Sequence, residues 1–356
     1  MTERTLARSD DLSSFVETAP TIVVRKSPMV PTDVYNSYWR FAAERQRIFF
    51  RRFSGASQPW TQDAVLATYK FTNAYRASDR VSQYLIRRVI YRPDLASSEV
   101  ETCFRILLFK LFNKIETWEL LEAAFGAVTY ADYTFERYDR VLSAAMRRGR
   151  RIYSAAYIMP PGHGHVAKHQ NHLCLLDSMM KDELPSRVAE ARTMRQAFNL
   201  LLGYPTIGNF LAYQFITDIN YSELTDFSEM EFVTPGPGAS DGLRKCFRDF
   251  GEHSESDLIR RAADLQEAEF ERLGLVFDTL WGRRLQLVDC QNLFCEISKY
   301  ARVAHPEVEG SSGRTRIKQK YRSAGSELKY WYPPKWGIND EVGRMDSGSL
   351  HPISER

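Results

Sequence analysis

Apolar residues in this chain recur at three- and four-residue spacing wherever a period is legible, and the two-residue alternation of a half-buried strand is rare. That pattern argues against a sandwich, a barrel or a wound parallel sheet and leaves an all-α fold. The spacing predicts helices over 34–53, 99–112, 116–125, 133–153, 186–201, 208–219, 258–275 and 285–303, with another starting at Asp79 and reaching Ile90. Pro93 and the Pro/Gly loops at 160–169 and 233–240 punctuate them. Residues 1–31 read as an irregular lead-in and 32–303 as one helical domain, with room for two subdomains divided near 155–185. Residues 304–356 read as a basic, aromatic extension.

A hydrophobic fraction of 44% over 356 residues supports a sizeable core. No run approaches the roughly 18 apolar residues that span a bilayer, and no secretory apolar region follows the polar start, so a soluble cytoplasmic protein with no membrane partner is expected. The five cysteines form no CxxC pair, which fits a reducing compartment and argues against an iron–sulfur cluster. His163, His165, His169 and His172 cluster, but neither HExxH nor a thiolate pair accompanies them. No metal and no cofactor are expected.

The net charge of +3 says little, but its distribution says more. Arg314, Arg316, Lys318, Lys320, Arg322, Lys329 and Lys335 are opposed only by Glu327 and are interleaved with Tyr321, Tyr330, Trp331, Tyr332 and Trp336. Cations with aromatics can neutralise phosphates and stack on bases; a solvated tail is the plain alternative.

The sharpest local feature is LLLGYPTIGNFLAYQFITDINYS, residues 200–222. A helix ends at Gly203, Tyr204 and Pro205 enter a tight turn, and Gly208 and Asn209 open a second helix. The two glycines are expected to supply positive φ and close backbone approach, as in a helix–hairpin–helix that holds a DNA phosphate. A further turn, Gly236–Pro237–Gly238, feeds a short helix over 239–247, where Arg244 and Lys245 add charge. Asp289, Asn292, Glu296 and Lys299 share one helix face, and Asn73 and Arg76 share another, with Gln83 and Tyr84 beyond them. These eight are either solvated polar stripes or the lining of a base pocket.

The layout resembles the helix–hairpin–helix DNA glycosylase superfamily, in which the hairpin is followed at about this distance by a catalytic Asp. Here the acidic stretch 225–233 offers Asp226, Glu229 and Glu231, with Glu229 first by spacing and Asp218, on the second hairpin helix, as its rival. More specifically, YWRFAAERQRIFFRR (38–52), PWTQDAVLATYKFTNAYRASDRVSQYLI (59–86), IGNFLAYQFITDINYS (207–222), DFSEMEFVTPGPGASDGLRKCF (226–247) and DCQNLFCEISKYARV (289–303) resemble the helical domain found with 5-hydroxymethyluracil DNA kinases, also described as thymine pyrophosphorylase-like. That family serves systems that make or recognise hypermodified phage bases, and some stand-alone relatives are similar to antiphage glycosylases that excise glucosylated 5-hydroxymethylcytosine. The sequence contains no GxxxxGK[ST] phosphate loop, which argues against a kinase step here.

The resemblance implies a monofunctional DNA glycosylase: a hydrolase acting in antiphage defence on double-stranded phage DNA that carries modified bases. A carboxylate would stabilise the sugar cation, and the absence of lysine from 186–203 implies no strand cleavage. Two alternatives stand beside it: an enzyme of base hypermodification acting on modified hydroxymethyl pyrimidines, and a non-catalytic reader of modified DNA.

Overall fold

The computed structural model describes residues 28–155, 159–322 and 329–346. Helix dominates: the described residues contain fourteen α-helices and one two-stranded sheet. In that sheet β1 (Val30–Pro31) pairs antiparallel with β2 (Phe247–Asp249), tying the start of the described chain to its middle. The all-α expectation is met.

The helices fall into two groups. In the first, α4 (Glu99–Phe112) is the buried axis. Its sequence, EVETCFRILLFKLF, is apolar on all sides, as a helix surrounded by others must be. Asn113 ends it in the left-handed region, a conformation Asn tolerates. Around this axis lie α5 (Ile115–Phe125), α6 (Phe135–Arg147), α7 (Lys168–Lys181), α8 (Leu184–Ala189), α9 (Met194–Leu202) and α10 (Asn209–Ile219), of which α7, α8 and α10 touch α4 directly. In the second group, α13 (Leu287–Ala304) is the axis for α1 (Asp33–Phe53), α11 (Pro237–Cys246) and α12 (Glu255–Arg272). The contact between α11 and α13 is so close that a Cβ on Gly242 would lie 1.8 Å from the Phe294 carbonyl oxygen. Only glycine fits there.

Between the groups run α2 (Ala64–Thr68), a 3-10 turn at Arg76–Ser78, and α3 (Arg80–Tyr84), which widens into a π-helical turn over Leu85–Ile90. The C-terminal extension ends in α14 (Asn339–Asp346), and its aromatics pack back onto the core: Tyr332 is fully buried. No helix among the described residues is long and apolar enough to cross a membrane.

Two local expectations are corrected. The single helix expected over 186–201 is two, α8 and α9, because Thr193 caps the second by accepting from the Gln196 amide while Gln196 reaches back to the Arg192 amide. In the turn between α9 and α10 the glycines are not left-handed: Gly203 has φ −66° and Gly208 −86°, and Thr206 carries the positive φ of 69°. The helix pair is present, but the geometry expected of a phosphate-holding hairpin is not what these glycines supply.

Candidate active site

The two helix groups meet at a nearly closed polar cluster. Asp218, near the end of α10, is flanked by two cations: Arg76 Nη2 lies 2.6 Å from one carboxylate oxygen and Lys110 Nζ, from the apolar helix α4, 2.6 Å from the other. All three side chains are buried. Burial pushes the Asp218 carboxyl up, but Arg76 and Lys110 outweigh it and hold the group below its usual range. Burial also lowers the Lys110 ammonium to about 8 against the opposing pull of Asp218. Arg76 spends its other donors on Gln214 Oε1 (3.2 Å) and the Tyr221 hydroxyl (2.9 Å).

Beside this floor lies a second, more accessible pair, Glu229 and Arg283, at 2.9 Å. The Arg283 guanidinium sits 3.9 Å from the centroid of the Trp336 ring, a cation–π contact. Trp336 in turn packs on Tyr332 and edge-on to Tyr221. Lys335 donates to the carbonyls of Ser222 (2.9 Å) and Thr225, and lies 3.8 Å from Asp226. Burial, reinforced by the nearby Glu229 charge, raises Asp289 to about 7. Asp289 accepts from the backbone N–H of Arg76 and of Gln286, so it clamps the loop over 71–79 to the start of α13.

The four candidate carboxylates separate clearly. Asp218 is locked between cations; Glu229 is buried beside Arg283 at the accessible side; the Asp226 side chain is 88% exposed; and Glu231 is exposed on the surface, where it accepts from the Met194 amide at the start of α9. Of the eight residues proposed as a base pocket, none forms a solvated stripe. Arg45 holds Asn73; the Glu296 carboxylate accepts from the Thr72 amide and from Lys299; Asn292 donates to Thr72. Gln83 accepts from the Trp331 amide, and Tyr84 stacks on Phe109. They build the cage around residues 71–79 that positions Arg76.

The remaining expectations land elsewhere. Lys245 is buried and donates to the Ser298 carbonyl, so it is not a surface cation; Arg244 lies over Phe250 and 3.7 Å from Glu255. Tyr204 is buried, whereas Gly208 and Asn209 are exposed at the start of α10. Arg316, Lys318 and Lys320 are exposed. The histidine segment is not simply a loop: His169 and His172 sit buried on α7, bonded to Asp139 and to the Tyr153 hydroxyl. Among the described residues no group of three or more such side chains is placed to hold a metal ion.

Sequence reasoning missed Lys110, Arg283, Tyr332, Lys335 and Trp336 as parts of this site. A lysine inside FRILLFKLF was the available signal for Lys110, because a cation in a buried helix needs a counter-charge. Tyr332, Lys335 and Trp336 belong to the basic aromatic run the sequence displays, but nothing in that run places them at this cluster, and Arg283 carries no local signal.

Comparison with known proteins places this geometry. The model of the family described as "5-hmdU DNA kinase, helical domain" matches residues 32–310. A curated protein named "5-hmdU DNA kinase", from Bacillus phage SP10, is 28% identical over 296 residues, covering 78% of this chain and 46% of that protein. The chain thus spans about half the length of the curated relative it matches. No solved structure matches. The expectation of a DNA glycosylase, a hydrolase, is overturned: the named relative is a DNA kinase, a transferase. Two carboxylates from the glycosylase reading, Asp218 and Glu229, are moreover each already paired with a cation.

Proposed function

This chain belongs to the 5-hmdU DNA kinase helical-domain family, and we propose that it works in DNA base hypermodification, on a hydroxymethyl pyrimidine whose 5-substituent carries negative charge. The observation that carries this reading is the charge balance under the aromatic wall. Arg76, Lys110, Arg283 and Lys335 converge there. Asp218 is shared by Arg76 and Lys110, Glu229 pairs with Arg283, and the carboxylate that Lys335 reaches, Asp226, lies 3.8 Å away and is itself exposed. The excess of cations in a water-poor site favours an anionic group such as a phosphate.

In this reading the half-exposed Trp336, backed by the buried Tyr332 and Tyr221, provides the aromatic surface beside which a flipped base lies. The bond from the 5-methylene carbon to the phosphate oxygen breaks as an amine nitrogen bonds to that carbon; Arg283 and Lys335 hold the departing phosphate, and Glu229 accepts the proton the nitrogen loses. Asp218 acts through Arg76 and Lys110, holding both in place.

The test uses DNA containing 5-hydroxymethyluracil, either free or phosphorylated at the hydroxymethyl group, incubated with the protein and an amine nucleophile and then digested to nucleosides for mass spectrometry. A changed base mass confined to the phosphorylated DNA, with the sugar–base bond intact and the change lost in Glu229→Gln, is expected. Unchanged nucleosides on both DNAs, or release of free base, would overturn the proposal. Tighter binding of the phosphorylated DNA without any mass change would make the chain a reader instead.

A further inference from the structure

Residues 314–322 form a second cationic feature, beyond the family-matched portion and outside the site just described. Their sequence, RTRIKQKYR, places Arg314, Arg316, Lys318, Lys320 and Arg322 at every second position, and all five are exposed. The intervening Ile317 and Tyr321 are half-buried, and Tyr321 packs edge-on against Trp60 with centroids 6.2 Å apart. The run therefore presents five outward cations and is anchored at two of its four intervening positions, Ile317 and Tyr321, while Thr315 and Gln319 are exposed. No Asp or Glu occurs between Gly310 and Arg322, and none of the five cations makes a salt bridge among the described residues.

The backbone of the run is fixed. The Lys70 amide donates to the Gln319 carbonyl (3.0 Å), the Tyr321 amide to the Thr68 carbonyl (2.9 Å), and Lys320 bridges Tyr69 in antiparallel register. Arg302 donates to the Arg316 carbonyl at 3.3 Å. In an extended chain alternate side chains stand about 6.8 Å apart, a spacing on the order of the step between successive phosphates along one DNA strand.

We propose that residues 314–322 are a preorganised track for the phosphate backbone of DNA, with Arg314, Arg316, Lys318, Lys320 and Arg322 each taking one phosphate. Thr68–Lys70, to which the track is hydrogen-bonded, runs directly into residues 71–79, so a strand lying on the track is led to the loop that carries Arg76. The polar Thr315 and Gln319 between the cations leave no outward apolar group for insertion into lipid, which favours a linear polyanion over a membrane surface. The choice of DNA rests on the function proposed above; the track itself is tested without any modified base.

The experiment measures binding of the full chain to a short unmodified duplex by fluorescence anisotropy across a salt series. Five phosphate contacts give a log–log slope of about −4.5, and the triple variant Arg316→Ala, Lys318→Ala, Lys320→Ala brings it to about −1.8. Between 50 and 200 mM salt the wild type then loses affinity by about 500-fold and the variant by only about 10-fold. The control removes a second exposed basic cluster, Arg147, Arg148, Arg150 and Arg151 at and beyond the end of α6, and leaves the slope unchanged. The proposal is overturned if the track variant keeps the wild-type slope, or if the control moves it as much. It is equally overturned if phosphatidylserine vesicles bind more tightly than DNA and lose that binding in the same variant. Loss of the slope with base chemistry intact at saturating DNA, or the reverse, separates failure of the track from failure of the proposed function.

Discussion

Replacing Asp218 by Asn is the most informative single change in the buried cluster. Asp218 lies 2.6 Å from both Arg76 and Lys110, and all three are sealed from water. Removing its charge while keeping its shape takes away the carboxylate that both buried cations share. Breaking a buried pair in this way typically costs about 3–5 kcal/mol, because the stranded charge keeps its desolvation penalty. Lys110→Met has a different consequence. Arg76 and Asp218 then remain a one-to-one pair, and the methionine fills the volume of the lysine stem, so the loss is about 1–2 kcal/mol. The double variant is then more stable than Asp218→Asn alone, because one of the two cations that shared the carboxylate has gone with it. The assay is equilibrium urea unfolding at pH 7, followed by far-UV circular dichroism and tryptophan fluorescence. An Asp218→Asn protein within about 1 kcal/mol of wild type, or a double variant that is the sum of its parts, would refute the claim that the three groups form one electrostatic unit.

Three further outcomes are expected. Gly242→Ala drives a methyl group into the Phe294 carbonyl and must part α11 from α13, lowering stability by about 3 kcal/mol in the same urea assay; a neutral effect would contradict that contact. Burial, then the nearby Lys168 charge, lowers His172 to about 4, against an ordinary value of 6.5. Because the unfolded chain takes up the proton first, its contribution is complete above pH 6.5 and is lost as pH falls toward 4. That contribution is about 3 kcal/mol at most, and His172→Gln flattens the corresponding limb of the stability–pH curve. Finally, Trp336→Leu removes both the cation–π contact with Arg283 and a stacking face, and weakens binding of DNA carrying the phosphorylated hydroxymethyl base by roughly 10-fold relative to unmodified DNA.

Helix content was legible in the sequence because burial imposes its period directly. The spacing over 208–219 corresponds to Asn209–Ile219, that over 285–303 to Leu287–Ala304, and that over 99–112 to Glu99–Phe112. The break between α8 and α9 was not legible, because Thr193 and Gln196 interrupt the helix by capping while the apolar period runs on. The candidate site was half legible. Arg76, Asp218, Glu229 and Asp289 stand out as polar residues in apolar surroundings, but spacing could not say which were solvated. It left Asp289, Asn292, Glu296 and Lys299 as either a solvated stripe or a base-pocket lining, whereas they cage residues 71–79. Long-range pairings such as Lys110 with Asp218, or Arg283 with Glu229, depend on how the two helix groups meet, which no local pattern encodes.

The wall formed by Tyr332, Lys335 and Trp336 comes from a stretch that follows the family-matched residues rather than from the helical frame itself. That segment is nevertheless locked into the frame: Tyr332 is fully buried with its hydroxyl on Ser78, and Lys335 ties down the carbonyls of Ser222 and Thr225. Under the function proposed above, an engineer seeking a new substrate would place a library at the half-exposed Lys335 and Trp336 and leave the buried Tyr332 that anchors them.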